Sequence, residues 1–101
     1  MAHSECVYVL RLDQPLGSDK HKAQFYVGHT YNLERRLDHH RKGTGAAFTR
    51  AAAERGIDFH VVLVIPGADR REERRIKNLN NTQRFVERYL RKQAGEQGAS
   101  R

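Results

Sequence analysis

Cysteine and long apolar runs are scarce in this sequence. Its single cysteine, Cys6, excludes an internal disulfide and is typical of a protein kept in a reducing compartment. No stretch approaches the roughly 20 apolar residues that a helix needs to cross a bilayer. The first residues, Met1 to Glu5, lack the charged and apolar segments of a secretory signal. These absences predict a cytoplasmic protein that does not enter a membrane.

Positive charge, by contrast, is abundant. Nineteen Lys and Arg residues against twelve Asp and Glu residues give a formal net charge of +7 on 101 residues. Such an excess favours a polyanionic partner, because phosphates neutralised by cationic side chains release their condensed counterions. A basic protein without such a partner could have the same composition, so charge alone leaves both possibilities open.

The pattern of apolar and turn-forming residues predicts one α+β domain, and the length fits a single core. The element order β-β-α-α-β-α-α indicates a small three-stranded antiparallel sheet flanked by helices. We expect this domain over residues 1–92 and a disordered tail over 93–101, which are rich in Gly, Ser and Gln. The predicted strands span 6–12, 23–27 and 59–65, and the predicted helices span 32–41, 47–55, 69–79 and 82–92.

The first helix places two polar side chains on its inward face. At about 100° per residue, Arg36 and His40 share a stripe with Leu33 and Leu37, whereas Arg35 points away. A guanidinium and an imidazole in these positions can cover the edge of a core, or they can line a site. The helix alone does not decide between the two.

Two tyrosines and a glycine stand before this helix. Tyr8 and Tyr26 lie on the two strands of the predicted hairpin, and we expect Gly28 where the second strand turns toward the helix. A glycine there would leave the strand end open to a ligand. Tyrosine hydroxyls beside an arginine could orient a water and a phosphate, although tyrosines with a purely structural role are common.

Taken together, these residues resemble the GIY-YIG nuclease superfamily. The first motif is present as Cys6-Val7-Tyr8, with cysteine in place of the usual glycine, and the second as Tyr26-Val27-Gly28. The run that follows, YVGHTYNLERRLDHHRKGTGAAFTR, is similar to that of the small, single-domain members. The likeness extends over residues 6–84.

The resemblance implies a metal-dependent endonuclease that hydrolyses phosphodiester bonds. It assigns Tyr8 and Tyr26 to positioning and deprotonating the attacking water, and Arg36 to stabilising charge on the phosphate. His40 matches a residue that carries a proton or contacts the phosphate. One glutamate of the third helix is expected to hold a divalent cation, Mg²⁺ or Mn²⁺.

Two neighbouring glutamates compete for that last role. Small members carry Glu-x-x-(Ile/Val)-Lys, which is present here from Glu73 to Lys77, whereas other branches would select Glu72. The spacing from Asp69 to Glu72 is that of a helix capping box, which gives Glu72 a structural function instead. We therefore predict that Glu73 is the metal ligand.

The substrate is expected to be nucleic acid, with DNA favoured over RNA and branched or flapped structures among the candidates. We see no appended DNA-binding domain, so low sequence specificity is expected. The alternative is a non-catalytic nucleic-acid-binding module on the same scaffold. Phosphate contacts that position the substrate without reading its bases are predicted from Arg35, Arg41, Lys42 and Arg50.

Overall fold

The computed structural model describes residues 4–17, 24–79 and 81–99. Its elements follow the order β-β-α-α-β-α-α, which confirms the α+β prediction. The strands are β1 (Cys6–Leu12), β2 (Phe25–Thr30) and β3 (Phe59–Pro66), and the helices are α1 (Leu33–Arg41), α2 (Ala47–Glu54), α3 (Arg70–Lys77) and α4 (Thr82–Ala99).

The sheet has the strand order β2-β1-β3, and β1 pairs antiparallel with both neighbours. Tyr8 stands opposite Gly28 on β2 and opposite Val64 on β3. The register with β3 shifts between Val9 and Leu10, so that β3 contributes an extra residue there. Because β1 is central and covered on both faces, its apolar residues alternate between two separate interiors.

Each face of the sheet has its own apolar core. Val7 and Val9 point toward α3 and α4, where their cluster includes Ile76 and Val86. Leu12 belongs to a second cluster, which packs against α2. The remaining buried members are Val27 and Leu63 in the first cluster and Leu16, Ala52 and Ile57 in the second. Tyr8 and Leu10, which alternate with the valines, are also fully buried.

Local signals fix where the helices begin and end. The side chain of Asn32 accepts a hydrogen bond from the backbone N–H of Arg35 and so caps α1. Asp69 caps α3 in the same way, through the N–H groups of Arg71 and Glu72. Beyond α2, Gly56 has a φ of +71°, which is the left-handed geometry expected of a residue that follows a helix.

Two predicted element ends differ from the structure by more than two residues. β2 runs through Gly28 to Thr30 because those residues continue to pair with β1, so Gly28 is not at a turn. The start predicted for this strand, Ala23, lies outside the described residues. α4 continues beyond the expected end at Lys92 to Ala99, through a stretch without proline. Within the described ranges, no helix combines the length and apolarity needed to cross a membrane.

Candidate active site

Tyr8 lies at the base of the site, with no exposed surface. Its ring occupies the space that a side chain at position 28 would fill, since a Cβ built on Gly28 would come within 2.4 Å of both Cζ and Oη of Tyr8. The glycine is therefore needed for close packing of two strands. This corrects the prediction that Gly28 leaves the strand end open to a ligand.

The Tyr8 hydroxyl joins β1 to α1 and α2. Its Oη lies 2.7 Å from Nε2 of His40, which is fully buried, and the Nδ1 of the same imidazole lies 2.8 Å from Oγ1 of Thr49. Thr49 in turn donates to the backbone carbonyl of Ala46 at 3.2 Å. A Cβ at Gly45 would come within 2.7 Å of Nδ1 of His40, so a second glycine makes room for this cluster.

These hydrogen bonds form a chain from Arg36 to Ala46, and the groups at its two ends determine which atom donates in each bond. Arg36 donates from Nε to Oη of Tyr8 at 3.3 Å, and a guanidinium has no acceptor. At the other end the carbonyl of Ala46 has no donor, so Thr49 must use its hydrogen there and accept from Nδ1–H of His40. Nε2 of His40 is then the acceptor for the Tyr8 hydroxyl. The sequence prediction that Arg36 and His40 face inward is confirmed.

Arg36 and Tyr26 lie nearer the surface than Tyr8, and both are half-buried. The Tyr26 ring contacts that of Tyr8, with 6.2 Å between centroids, and that of His40, with 5.2 Å. It also stacks on Phe48 of α2 at 5.9 Å. Packing on three sides holds the Tyr26 hydroxyl beside the guanidinium. Tyr26 and Arg36 therefore form the accessible part of the site, above a buried polar layer.

Burial and charge set the protonation states of these groups. Burial opposes the positive charge of Arg36, but the hydrogen bond to Tyr8 and the nearby Tyr26 hydroxyl outweigh it and raise the pKa of Arg36. Burial raises the pKa of Tyr8 to about 12; the hydrogen bond from Arg36 offsets part of this rise, and the negative charge of Glu73 adds to it. Burial and the positive charge of Arg36 lower the pKa of His40 to about 4. At neutral pH, Tyr8 and His40 are thus both uncharged.

Of the two competing glutamates, Glu73 is the one that faces this cluster. Its side chain is only 14% exposed and accepts a salt bridge from Lys77 at 3.2 Å. The ammonium group of Lys77 lies 5.9 Å from the centroid of the Tyr26 ring. Glu72 lies on another side of α3, where it pairs with Arg75, and that pairing lowers the pKa of Glu72.

The side chains of the site could supply few ligands to a metal ion. They fit a cation that is held loosely and takes most of its ligands from water and substrate. Within the described ranges, no three residues among His, Cys, Asp and Glu are grouped so that they could hold a metal ion. Glu73 could contribute one carboxylate oxygen, which suits Mg²⁺ because that ion keeps several waters and takes further ligands from a phosphate. Lys77 would have to release the carboxylate.

The four cations predicted to contact phosphate are all exposed. Arg35 points away from Arg36, and the charge of Lys42 is shared with Asp38 at 2.9 Å. Arg41 lines a cleft together with His40 and Thr49, beside Phe59 and His60. The fourth, Arg50, follows Thr49 on α2. Their contact with nucleic acid stays a prediction.

Sequence reasoning did not assign a function to two members of the site. Thr49 is in the Thr-Arg pair of the long run, and its spacing of nine residues from His40 gives no periodic signal for contact between two helices. Lys77 ends the Glu-x-x-Ile-Lys motif, and its i+4 spacing from Glu73 predicts the observed ion pair. The ion pair between Lys77 and Glu73 could therefore have been predicted from the sequence.

Comparison with known families agrees with this geometry. The family model for the GIY-YIG catalytic domain matches residues 5–89, most of the chain. Searches of curated proteins and of solved structures each found no significant match. The matched region contains β1 to α3 and the first part of α4, and it includes all the residues of the site.

The fold and the matched region together define a nuclease-type domain. This chain belongs to the GIY-YIG family. Membership supports an enzyme that acts on nucleic acid, and the family generally uses divalent metals.

Proposed function

We propose that this chain is a divalent-metal-dependent endonuclease that hydrolyses phosphodiester bonds in DNA with low sequence specificity. The single observation that supports this most strongly is the arrangement around Arg36. Its guanidinium is hydrogen-bonded to Tyr8 and lies beside Tyr26, and the negative charge of Glu73 contributes to the raised pKa of Tyr8. A guanidinium can stabilise charge on a phosphate, a carboxylate can hold a metal ion and an accessible phenol can orient a water, and together these groups can support phosphodiester hydrolysis.

Arg36 is the proposed phosphate contact. A guanidinium presents planar donors that match two oxygens of a phosphate, and its charge does not depend on pH in the neutral range. Tyr8 holds Nε, which leaves the terminal nitrogens for Tyr26 and the substrate. Because Tyr8 has no exposed surface, we assign it to positioning Arg36. The resemblance alone implied contact between Tyr8 and the attacking water, so this assignment differs.

Tyr26 is the tyrosine placed to contact the attacking water, since it is half-buried and adjoins Arg36. His40 holds Tyr8 through Nε2 and stays neutral at physiological pH. Glu73 is the proposed protein ligand of Mg²⁺ or Mn²⁺. When bound, that cation would polarise a phosphoryl oxygen and stabilise the leaving oxygen.

The substrate class and the cellular compartment are proposed from the charge and the cysteine content of the chain. The net charge of +7 favours nucleic acid, and Arg35, Arg41, Lys42 and Arg50 remain proposed phosphate contacts. DNA, including branched or flapped forms, is the proposed substrate. The single cysteine is buried and free, which is compatible with the reducing cytoplasm where we place this protein.

A non-catalytic nucleic-acid-binding module is the second candidate, and one contact favours it. Lys77 neutralises Glu73 in this structure, as it would in a site that never binds a cation. A binder of this kind would associate with nucleic acid without a metal and would tolerate loss of the carboxylate.

A cleavage assay with two matched variants separates these candidates. Purified protein is incubated with supercoiled plasmid and with single-stranded, duplex and branched oligonucleotides, in Mg²⁺ or Mn²⁺. Loss of one stabilising group of this type slows cleavage on the order of 100-fold or more, so Glu73→Gln should lose nearly all activity. Glu72→Gln, one residue away, should retain it. If the wild type cuts nothing, or if both variants cut as fast as the wild type, the proposed enzyme is wrong.

A further inference from the structure

The groove between α3 and α4 is rich in positive charge. It has a volume of about 650 Å³ and is lined by five cationic side chains together with Tyr89. The cations are Arg75, Arg84, Arg88, Arg91 and Lys92. We propose that this groove, here called the α4 groove, binds a single-stranded segment of nucleic acid. The proposal rests on the proposed function only in taking nucleic acid as the partner.

Helical spacing concentrates the charge on one side of α4. Arg84, Arg88 and Arg91 are separated by four and then three residues, so they follow one face of the helix, about 6 Å and then about 4.5 Å apart along its axis. All three are exposed. Like charges this close repel one another in the free protein. A chain of phosphates bound along the same line would remove that repulsion and release counterions.

Neighbouring carboxylates neutralise little of this charge. Arg75, on the α3 side, pairs with Glu72. Arg84, Arg88, Arg91 and Lys92 form no salt bridge with any carboxylate among the described side chains. One acid, Glu87, lies beside them on the outer side of α4, where it accepts a hydrogen bond from Gln83 at 3.1 Å. The groove therefore keeps a strong positive excess.

Aromatic and apolar groups in the groove favour a single strand over a duplex. Tyr89 and Phe85 are half-buried and pack against each other with 6.0 Å between ring centroids, and Leu79 at the edge is 38% exposed. A cationic groove with an aromatic floor suits unpaired bases, which stack on the rings while the phosphates meet the arginines. The bases of a duplex are already stacked on each other and would not reach the floor.

The α4 groove and the site lie on different sides of α3. Glu73 and Lys77 face Tyr26, whereas Arg75 and Leu79 face α4. A strand in the groove would not touch Arg36 or Glu73. It would hold an unpaired arm of the substrate while the site acts on another part, as a flapped or branched molecule allows.

The test measures binding under conditions that prevent cleavage. Fluorescence anisotropy is recorded with a dye-labelled oligo-dT and with a duplex of equal length, in EDTA and at several salt concentrations. The groove variant combines Arg84→Gln, Arg88→Gln and Arg91→Gln. Its matched control combines Arg70→Gln, Arg71→Gln and Arg74→Gln, which remove the same charge from exposed positions on α3 that do not line the groove.

The groove variant should bind oligo-dT about 10- to 100-fold more weakly, and its salt slope should fall by about 2, since each lost contact removes about 0.7. The control should change affinity by less than about threefold, because only the overall charge differs. Tyr89→Leu keeps an apolar group but removes the ring, so it should weaken oligo-dT binding about fivefold or more and leave duplex binding unchanged. Tyr31→Leu, at an exposed tyrosine outside the groove, should change neither.

Equal weakening of oligo-dT binding by the two triple variants would overturn the proposed function of the groove. Unchanged oligo-dT binding by the groove variant would do the same, and is expected if the groove binds an acidic protein instead. Equal loss of duplex and oligo-dT binding would overturn the choice of a single strand. Failure of the nuclease proposal can be distinguished from failure of the groove proposal. A wild type that cuts nothing but needs the arginines for binding refutes the enzyme alone, whereas an active enzyme indifferent to them refutes the groove alone.

Discussion

The two faces of β1 show two ways of filling an interior. On one face, Val7 and Val9 pack with Leu63 in a core that has no directional contacts. On the other, Tyr8 packs beside Leu10 but belongs to a chain of hydrogen bonds through His40 to α2. Both faces are fully buried along these residues. The apolar face gains stability from area alone, whereas the polar face requires each group to keep one particular partner.

The largest effect is expected from a cavity on the apolar face. Leu63→Ala should lower the free energy of unfolding by about 3–5 kcal/mol, because the residue is 4% exposed and its neighbours cannot collapse onto the space. Urea unfolding measures this. Val61→Ala, on the same strand but 37% exposed, should change stability by less than about 1 kcal/mol. Similar losses at the two positions would show that this face is not a packed core.

The second prediction concerns the contact between β2 and the polar face. Gly28→Ala should destabilise the protein by about 2–3 kcal/mol, because the new methyl group would overlap the Tyr8 ring and force it to move. Cleavage should fall with it as Arg36 loses its partner. Gly95→Ala has open space around it on α4 and should instead stabilise by about 0.5–1 kcal/mol. Thermal unfolding distinguishes the opposite signs.

The third prediction concerns the loss of folding stability at low pH, which should come from His40 on the polar face. The pKa of His40 is about 4 when folded, against 6.5 when unfolded, so the unfolded chain takes up this proton first. The stabilising contribution is complete above pH 6.5 and is lost as the pH falls toward 4. Between pH 7 and pH 5 the loss should be about 2 kcal/mol. In urea unfolding at both values, His40→Gln should lose less stability than the wild type, and an equal loss would contradict the depressed pKa.

The smallest change in stability is expected at the end of the hydrogen-bond chain. Thr49→Val keeps the shape but removes the acceptor for Nδ1–H of His40, which should cost about 1 kcal/mol. Thr49→Ser should restore it. ¹⁵N NMR of the imidazole should show the Nδ1–H tautomer in the wild type and in Thr49→Ser. A mixture of tautomers in the wild type would contradict the assigned direction.

The sequence predicted most of the fold because its signals are local. A nearly continuous apolar run defined β1, Asn32 and Asp69 capped α1 and α3, and Gly56 followed α2. The end of β2 was misplaced because Gly28 looks like a turn residue in isolation. Only pairing with Tyr8 across the sheet shows that it belongs inside a strand.

The site was predictable in part for the same reason. The inward positions of Arg36 and His40 follow from helical periodicity, and the likeness to GIY-YIG nucleases named both tyrosines and Glu73. The contact from His40 to Thr49 joins two helices, so it follows from tertiary packing and not from a local pattern. The burial of Tyr8 likewise depends on the packing of β2, α1 and α2 around it. The cationic face of α4 has a helical spacing that is visible in the sequence, but its groove exists only once α3 packs beside it.

The chain of hydrogen bonds from Arg36 to Ala46 also restricts motion. Turning the His40 ring over by 180° would place Cε1 where Nε2 now meets the Tyr8 hydroxyl and Cδ2 where Nδ1 now meets Thr49, so both hydrogen bonds would be lost. The imidazole is therefore held against rotation at both edges. Rotational freedom in this cluster is confined to the outer atoms of Arg36, the part nearest the surface.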